Sequence, residues 1–250
     1  MKYKKEKEKT PINGVKNLIL VASCKGGVGK STNCVNLAIT AMNLGYKVGL
    51  VDADIYGPSI PRLLNINEKP EMIGNMMKPF FKYGIKTISF GSILPRDRAA
   101  IWRGPLVTKA LFQLFHMTYW EDIDYLFVDM PPGTGDIYLS LAENYLVNGA
   151  IIVSTPQIIA IEDVVKTIDM FKKLNIPIIG VIENMSYFID EISQQKTYIF
   201  GQNGAKKMAK DLDLTFMGEI PILPSIVKSS DEGKPICFFE KDSEIALLYK

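Results

Sequence analysis

Cysteine and histidine are scarce in this sequence, and long uncharged apolar runs are lacking. Only three cysteines, Cys24, Cys34 and Cys237, and one histidine occur in 250 residues. Three scattered cysteines cannot form a disulfide framework, which favours a reducing compartment. No stretch reaches the roughly 20 uncharged residues of a membrane-spanning helix, and the lysine- and glutamate-rich start lacks the apolar core of a signal peptide. The sequence therefore predicts a cytoplasmic protein with no membrane partner.

Excess charge is also lacking outside the N-terminus. The net charge is +2, and residues 1–9 alone carry +3, so the rest of the chain is close to neutral. A near-neutral body has no electrostatic footprint for nucleic acid, which argues against a nucleic-acid partner. The lysine-rich start is typical of a solubilising tail. We predict a flexible tail over residues 1–14 and a single domain over residues 15–250, whose 47% apolar content supplies an ample core.

Short apolar runs alternate along the chain with longer segments of helical period. This alternation predicts a doubly wound α/β fold, in which a mostly parallel sheet has helices on both faces. The predicted strands cover residues 18–22, 48–51, 87–90, 125–128, 150–153, 178–182 and 216–220. The predicted helices cover residues 30–43, 105–118, 137–147, 161–174 and 202–212.

A glycine-rich loop follows the first predicted strand, within the sequence NLILVASCKGGVGKST from Asn17 to Thr32. In a P-loop, glycines let backbone N–H groups turn toward phosphates, a lysine reaches the outer phosphates, and the next hydroxyl holds Mg²⁺. Lys30 and Ser31 occupy these two positions, at the N-terminus of a predicted helix whose dipole favours anions. The predicted nucleotide-binding residues of the loop are Cys24, Lys25, Gly26, Gly27, Val28, Gly29, Lys30, Ser31 and Thr32.

Three carboxylates come directly after predicted strands. Asp52 and Asp54 follow the strand at 48–51, and Asp129 follows the strand at 125–128. An aspartate in such a position can be merely a helix cap. Parallel sheets, however, bind ligands at the carboxyl ends of their strands, and three carboxylates beside a phosphate loop favour a metal and water site. We predict that Ser31, Asp52 and Asp129 form the Mg²⁺ site, with Asp129 as a Walker B candidate.

Two groups of motifs carry a resemblance to a known family. KGGVGKST at 25–32 resembles the deviant Walker A motif of the ParA/MinD class of P-loop ATPases. DADIYGPSIP at 52–61, DMPPGTGD at 129–136 and ENMSYF at 183–188 resemble the Mrp/ApbC branch of that class, which includes Nbp- and Ind-type proteins. The resemblance runs from about Pro11 to Lys250. It implies an enzyme that binds and slowly hydrolyses ATP and carries iron–sulfur clusters to apoproteins.

The resemblance also implies roles for individual residues. Lys25 matches a signature lysine that contacts nucleotide held by the facing subunit, so ATP would link a homodimer. With Lys25, the implied catalytic residues are Lys30, Asp54, which would position the attacking water, and Asp129, which would support the metal. Asn184 matches a position that contacts the adenine base, and its amide offers both a donor and an acceptor. A polar turn is the alternative role for Asn184.

The sequence departs from the family pattern at the cluster site. Family members usually carry Cys-x-x-Cys shortly after SYF, so two copies supply the four thiolates that a 4Fe–4S cluster prefers. In this chain the matching positions are Asp190 and Ser193. A serine hydroxyl is seldom deprotonated, so we expect weak cluster binding there or none. Cys24 is a substitute candidate ligand, although simple packing is the commoner role of an isolated cysteine.

Three functional classes are compatible with these patterns. The first is an ATP-dependent iron–sulfur carrier. The second is an ATPase switch of the same family that has lost cluster binding, or a partner subunit for a cysteine-bearing relative. The third is a MinD- or ParA-like positioning protein, which the short, mixed-charge C-terminus KDSEIALLYK disfavours as a membrane binder. Arg103 would stabilise phosphoryl-transfer charge or brace the helix after Pro105, and His116 is expected to pack on an apolar helix.

Overall fold

Helices and strands alternate along the chain in the computed structural model, which describes residues 9–93, 105–190 and 192–250. The strands are β1 (Val15–Ala22), β2 (Val48–Asp52), β3 (Met72–Ile73), β4 (Met76–Met77), β5 (Phe80–Lys82), β6 (Ile85–Ser89), β7 (Ile123–Asp129), β8 (Gly149–Ser154), β9 (Ile178–Ile189), β10 (Lys196–Thr197) and β11 (Phe216–Ile222). The helices are α1 (Lys30–Asn43), α2 (Ile60–Leu63), α3 (Phe90–Ile93), α4 (Pro105–His116), α5 (Asp136–Asn144), α6 (Ile158–Lys173), α7 (Gly204–Asp211), α8 (Pro224–Asp231), α9 (Ile236–Phe239) and α10 (Glu244–Leu247).

Nine of these strands form one sheet, in the order β10-β9-β8-β1-β7-β2-β6-β5, with β11 also paired to β9. The central pairs are parallel, and only β5 and β10 run antiparallel to their neighbours. β3 and β4 form a separate hairpin. The prediction of a mostly parallel α/β sheet is confirmed.

The buried side chains of β1 show why the sheet is covered on both faces. Leu18, Leu20 and Ala22 belong to one apolar core, whereas Ile19 and Val21 belong to the other. Successive side chains of a strand point to opposite faces, so a strand buried on both faces is continuously apolar. Helices α4 to α7 cover the first core, and α1, α2 and α9 cover the second. The double winding therefore follows from the uninterrupted apolar runs.

Predicted and observed elements agree best at the phosphate loop. Helix α1 has the bounds predicted for it, and all seven predicted strands are present. The prediction for β9 was too short, because its pairing continues with β10 on one side and β11 on the other, out to Phe188 and Ile189. The strands β3 to β5, and short helices such as α2 and α3, were not predicted, since runs of two to four residues show no measurable periodicity.

The N-terminal boundary of the domain needs a correction. Residues 10–14 belong to the predicted flexible tail, yet Ile12 is buried and the Thr10 N–H donates to the Asn144 carbonyl at 2.7 Å. Gly14, with φ of +76°, turns the chain against Glu121 and leads it into β1. A single apolar side chain at position 12 thus fixes this segment to the body, a signal too small to stand out in a charged sequence.

Among the residues that the structure describes, no helix is both long and apolar enough to cross a bilayer.

A substitution of Phe171 would test how far the stability of the fold depends on the core beneath α6. Its ring is fully buried and lies 5.6 Å from the Tyr138 ring. Phe171→Ala should lower the free energy of unfolding by about 3–5 kcal/mol, because truncation leaves a cavity. Phe81→Ala is the matched control, since Phe81 is 73% exposed on the edge strand β5. Urea unfolding of both variants measures the difference, and similar losses in the two would contradict this account of the core.

Candidate nucleotide-binding site

The loop between β1 and α1 forms an open cradle. Gly27 and Gly29 adopt left-handed backbone conformations, with φ of +80° and +81°, which glycine tolerates without strain. A Cβ atom added to Gly26 or Gly27 would meet nothing within 4 Å, so the space in front of the loop is free. A Cβ added to Gly29 would lie only 2.1 Å from the Asn184 Nδ2 atom. The loop can therefore approach a phosphate with its backbone, and it needs glycine at position 29.

Lys30, Ser31 and Asp129 form one hydrogen-bonded cluster at the base of this cradle. The Lys30 Nζ lies 2.5 Å from Asp129 Oδ1, and the Ser31 hydroxyl donates to Asp129 Oδ2 at 2.6 Å. Lys30 and Ser31 are the first residues of α1, and Asp129 is the last residue of β7. Because β1 and β7 are parallel neighbours, the loop after β1 and the end of β7 meet at the same edge.

Burial sets the electrostatics of this cluster. The side chains of Lys30 and Asp129 are 7% and 0% exposed. Burial raises the pKa of Asp129, and the charge of Lys30 together with the two hydrogen bonds opposes that rise. An unpaired buried carboxylate is expensive, so Asp129 needs a cation at this position. In this structure the Lys30 ammonium is that cation. A metal ion bound beside Ser31 could neutralise Asp129 instead.

Asp52 lies beside Asp129, as its register partner on β2. Its carboxylate accepts hydrogen bonds from the backbone N–H groups of Asp54 and Ile60, both at 3.2 Å, and from the Ser89 hydroxyl at 2.9 Å. Burial and the nearby Asp129 raise the pKa of Asp52 to about 8. Both oxygens thus hold residues 54–60 in place. A direct Mg²⁺ contact from Asp52 stays a prediction.

Asp54 is one of the residues that line a cavity of about 680 Å³. The cavity separates the two segments singled out in the sequence, residues 52–61 and 129–136, and is lined by Ala53, Asp54, Ile55, Tyr56, Gly57, Val107, Pro131, Pro132, Gly135, Asp136 and Ile137. The Gly57 N–H donates to Asp54 Oδ1 at 3.0 Å, and the Gly133 N–H donates to the Ser23 carbonyl at 3.0 Å. The second segment is therefore connected to the phosphate loop.

Lys25, the extra lysine of the loop, contacts helix α6 of its own chain. Its Nζ lies 3.3 Å from Asp163 Oδ2 and 3.3 Å from the Ile159 carbonyl oxygen. The Lys25 side chain is 38% exposed, so this pairing is open to solvent and weak. Both of these partners of the Lys25 ammonium lie on α6, outside the Lys30 cluster.

Asn184 lies inside β9, and the proposed alternative of a polar turn is wrong. Its Nδ2 donates to the Val28 carbonyl at 2.8 Å, so the side chain rests directly on the phosphate loop. The neighbouring Glu183 is fully buried and accepts from the Ser186 hydroxyl at 2.6 Å and from the Ala205 N–H at 2.7 Å. Glu183 thereby connects β9 to the first turn of α7 and holds the strand beside the loop.

Three positioning residues were not predicted from the sequence: Ser89, Asp163 and Glu183. Ser89 is the register partner of Asp52 at the end of β6, so the search along strand ends could have included it. Glu183 directly follows the predicted strand at 178–182, so the same search along strand ends could have included it. Asp163 lies on a helix surface, and no pattern in the sequence distinguishes it from a solvated charge.

The residues present fit a nucleoside triphosphate with Mg²⁺. The open glycine cradle and the N-terminus of α1 suit phosphate, and Lys30 adds a positive charge. The Ser31 hydroxyl and the Asp129 carboxylate are hard oxygen ligands of the kind that Mg²⁺ takes alongside phosphate oxygens.

Asp190 and Ser193, the positions that match the family's cysteine pair, are hydrogen-bonded to each other. Asp190 Oδ1 accepts from the backbone N–H groups of Ile192 and Ser193, at 3.2 and 2.7 Å, and from the Ser193 hydroxyl at 2.8 Å. These bonds lower the pKa of Asp190. Of the cysteines, Cys24 is partly exposed, whereas Cys34 and Cys237 are buried. Among the described residues, no group of three or more histidine, cysteine, aspartate or glutamate side chains could hold a metal ion.

His116 and Arg103 are the two remaining residues that the sequence analysis singled out. His116 ends α4, and its ring lies 4.4 Å from Phe112 and 5.7 Å from Tyr145, so the expected packing role is confirmed. Arg103 lies outside the described residues.

The fold and this loop define a P-loop nucleotide-binding protein with a second lysine at its phosphate loop. A profile of the ParA group, described as NUBPL iron-transfer P-loop NTPase, matches residues 14–250. The chain belongs to this family of iron–sulfur cluster carrier and transfer proteins. It is 46% identical to an iron–sulfur cluster carrier protein of Aquifex aeolicus over 95% of its own length and 66% of the relative's. It is also 46% identical to mouse iron–sulfur cluster transfer protein NUBPL, over 96% of its length and 76% of the relative's.

Solved structures support the same assignment. A nucleotide-binding protein from Archaeoglobus fulgidus in complex with ADP superposes with a TM-score of 0.80 at 33% identity, covering 94% of this chain and 92% of that one. The cell division ATPase MinD of Pyrococcus furiosus superposes with a TM-score of 0.68 at 19% identity, covering 93% and 94% of the two chains. The second likeness shows the fold alone.

His116 gives a test of the packing at the end of α4. Burial lowers its pKa, so the unfolded chain binds a proton more readily than the folded one near pH 6. The contribution of His116 to stability should therefore fall as the pH drops below about 6.5. Urea unfolding at pH 7.5 and 5.5 should show a larger loss of stability for wild type than for His116→Gln. Equal losses would mean that His116 titrates alike in both states.

Proposed function

We propose that this protein binds and hydrolyses ATP, with Mg²⁺, and uses that cycle to carry iron–sulfur clusters to apoproteins. The cluster of Lys30, Ser31 and Asp129 is the observation that carries the ATPase part. The family relationship supports iron–sulfur clusters as the cargo. The cytoplasmic location, and the absence of membrane and nucleic-acid partners, stay predictions from the sequence.

The paired charges at the loop suggest how ATP would bind. Phosphate oxygens would take Lys30 as their cation, and Mg²⁺ beside the Ser31 hydroxyl would compensate the Asp129 carboxylate. Each buried charge then has a new partner as it loses the old one, which limits the desolvation penalty. Mg²⁺ would supply charge stabilisation at the phosphate oxygens. The 2.5 Å ion pair between Lys30 and Asp129 would thus be replaced, on binding, by a contact of Lys30 with phosphate and of Asp129 with the metal.

Hydrolysis is assigned to Asp54, which borders the cavity between the two segments. Asp54 is mostly buried; its N–H donates to Asp52 Oδ1, and its own Oδ1 accepts from the Gly57 N–H. A carboxylate in this position can orient an attacking water toward the phosphate that Lys30 holds. The hydrogen bond from Gly133 to Ser23 gives the second segment a means of responding to the occupancy of the loop.

A homodimer linked by nucleotide is the arrangement we favour for the active state. Lys25 stands at the surface of the phosphate loop and does not contact the Lys30 cluster, as expected of a lysine that reaches into a facing subunit. The neighbouring α6 exposes two isoleucines, Ile158 and Ile159, which are 79% and 63% exposed. Two adjacent exposed isoleucines beside the weakly paired Lys25 ammonium suit a protein–protein contact better than open solvent. Lys25 would leave Asp163 when the partner docks.

The two loop lysines should have separable effects. Lys30→Ala should abolish tight ATP binding, because it removes the buried cation and leaves Asp129 unpaired. Lys25→Ala should retain ATP binding by a monomer but weaken dimerisation and hydrolysis. Isothermal titration with ATP and light scattering with a non-hydrolysable ATP analogue measure the two effects. Lys166→Ala, which changes an exposed lysine that also pairs with Asp163, is the matched control. Unchanged affinity in Lys30→Ala would refute the site, and normal dimerisation in Lys25→Ala would refute the signature role.

Asp54 should affect the chemical step and not binding. Asp54→Asn keeps the shape of the side chain and removes its charge, so ATP affinity should change little while turnover falls by roughly 100-fold. Phosphate release at saturating MgATP measures turnover. Asp136→Asn, on the opposite wall of the cavity, is the control for a general loss of charge there. Wild-type turnover in Asp54→Asn would remove Asp54 from the mechanism.

A further inference from the structure

We propose that Ser23 is a positioning residue that acts through Lys25: its hydroxyl sets the main-chain position of that lysine and couples it to the segment 129–136. The inference rests on the proposed function, because it concerns how nucleotide at the loop leads to dimerisation and hydrolysis. It follows from two hydrogen bonds by which Ser23 is joined to different parts of the site, one through its carbonyl and one through its hydroxyl.

Ser23 lies between the last residue of β1 and the glycine loop, and it is fully buried. Its carbonyl accepts from the Gly133 N–H at 3.0 Å. Its hydroxyl donates to the Lys25 carbonyl at 2.9 Å. One buried residue is therefore bonded both to the segment 129–136 and to the extra lysine of the loop.

The Gly133 N–H is the group that joins the outer part of the segment 129–136 to the loop. The two residues before Gly133 are prolines and have no backbone N–H to donate. The preceding donor, the Met130 N–H, is bonded at 3.0 Å to the Val21 carbonyl, inside β1. Beyond β1, the segment thus meets the loop at the Ser23 carbonyl.

The turn around Gly133 is fixed on one side and open on the other. The fully buried Tyr138 holds the Pro131 carbonyl, since its hydroxyl donates to that oxygen at 2.9 Å. Gly133 itself has φ of +96°, and a Cβ atom added to it would meet nothing within 4 Å. We therefore expect a movement of the segment to be concentrated at Gly133, whose partner is Ser23.

Lys25 depends on its main chain for its position. Its ammonium pairs with Asp163 at 3.3 Å, but the side chain is 38% exposed, and such a pair is weak. The next two residues, Gly26 and Gly27, have free space around them and the backbone freedom of glycine. The Ser23 hydroxyl therefore holds the Lys25 carbonyl at a point where the following chain does not.

These contacts connect the nucleotide site to the proposed dimer contact. A displacement of Gly133 when nucleotide binds would alter its hydrogen bond to the Ser23 carbonyl. The Ser23 hydroxyl would transmit the change to Lys25, two residues further on. In this account Lys25 makes the contact with the facing subunit, and Ser23 determines where that contact begins.

The first experiment removes the Ser23 hydroxyl and keeps the carbonyl. Ser23→Ala should bind ATP like wild type, while nucleotide-linked dimerisation and turnover each fall about 5- to 10-fold, as expected for one lost hydrogen bond. Ser23→Thr, which retains the hydroxyl, should restore both. Calorimetry with ATP, light scattering with a non-hydrolysable analogue and phosphate release measure the three properties. Circular dichroism checks the fold, and Ser23→Cys, a nearly isosteric weak donor, replaces Ser23→Ala if that variant does not fold.

Ser154→Ala is the matched control. Ser154 is a buried serine at the end of β8, the neighbour of β1, and its hydroxyl donates to the Thr155 carbonyl at 3.1 Å. Its removal is the same chemical change without a bond to Lys25, so dimerisation and turnover should stay at the wild-type level. Equal losses in Ser23→Ala and Ser154→Ala would mean that any buried hydroxyl at this edge has the same effect, and would overturn the inference.

The second experiment tests whether Ser23 acts through Lys25. Ser23→Ala is combined with Lys25→Ala, and phosphate release is followed long enough to measure slow residual turnover. We expect no further loss in this background, because the contact that Ser23 positions is already absent. A further 5- to 10-fold loss would show that Ser23 acts on the site by another means, and the inference would be wrong.

The outcomes separate this inference from the proposed function. If wild type neither binds nor hydrolyses ATP, the proposed function itself fails. If wild type does both while Ser23→Ala dimerises and hydrolyses ATP normally, the inference is wrong and the ATPase assignment stands.

Discussion

The parallel pairing of β1, β2 and β7 is the constraint on which the nucleotide site depends. It brings the end of β1, the end of β2 and the end of β7 to one edge, with Asp52 and Asp129 as register partners. Residues about 100 positions apart, such as Lys30 and Asp129, then meet without a long loop. A slip of one residue between β2 and β7 would turn one of these carboxylates to the opposite face of the sheet, so the site depends on the register of these two strands.

Buried charge is the second organising feature, and it links stability to binding. Asp52 and Asp129 are fully buried side by side, and each is held by donors from a different segment. Asp129 accepts hydrogen bonds from Lys30 and Ser31 of the phosphate loop. Asp52 accepts hydrogen bonds from the segment 54–60 and from the end of β6. Burial raises the pKa of both groups, and the nearby Asp129 adds to the rise at Asp52.

The hairpin at the end of β9 lacks the cysteines that the family resemblance predicts there. Glu183 and Asn184 hold the start of this strand against α7 and the phosphate loop. Asp190 and Ser193 then close the turn with hydrogen bonds where thiolates would bind a cluster. Strand β9 therefore runs from the phosphate loop to a turn that has no thiolate. Family membership and ligand chemistry are separate properties of this chain.

The sequence by itself determined the layered sheet, the phosphate loop, helix α1 and the three strand-end aspartates, because each is encoded by local periodicity or by a short motif. It also showed that the cysteine pair is absent. Only the tertiary structure decided that Asp52 holds its own segment, that Asn184 rests on Val28 within a long β9, and that Cys34 and Cys237 are buried. Burial and hydrogen-bond partners are set by contacts between residues distant in sequence, and a local sequence pattern does not encode those contacts.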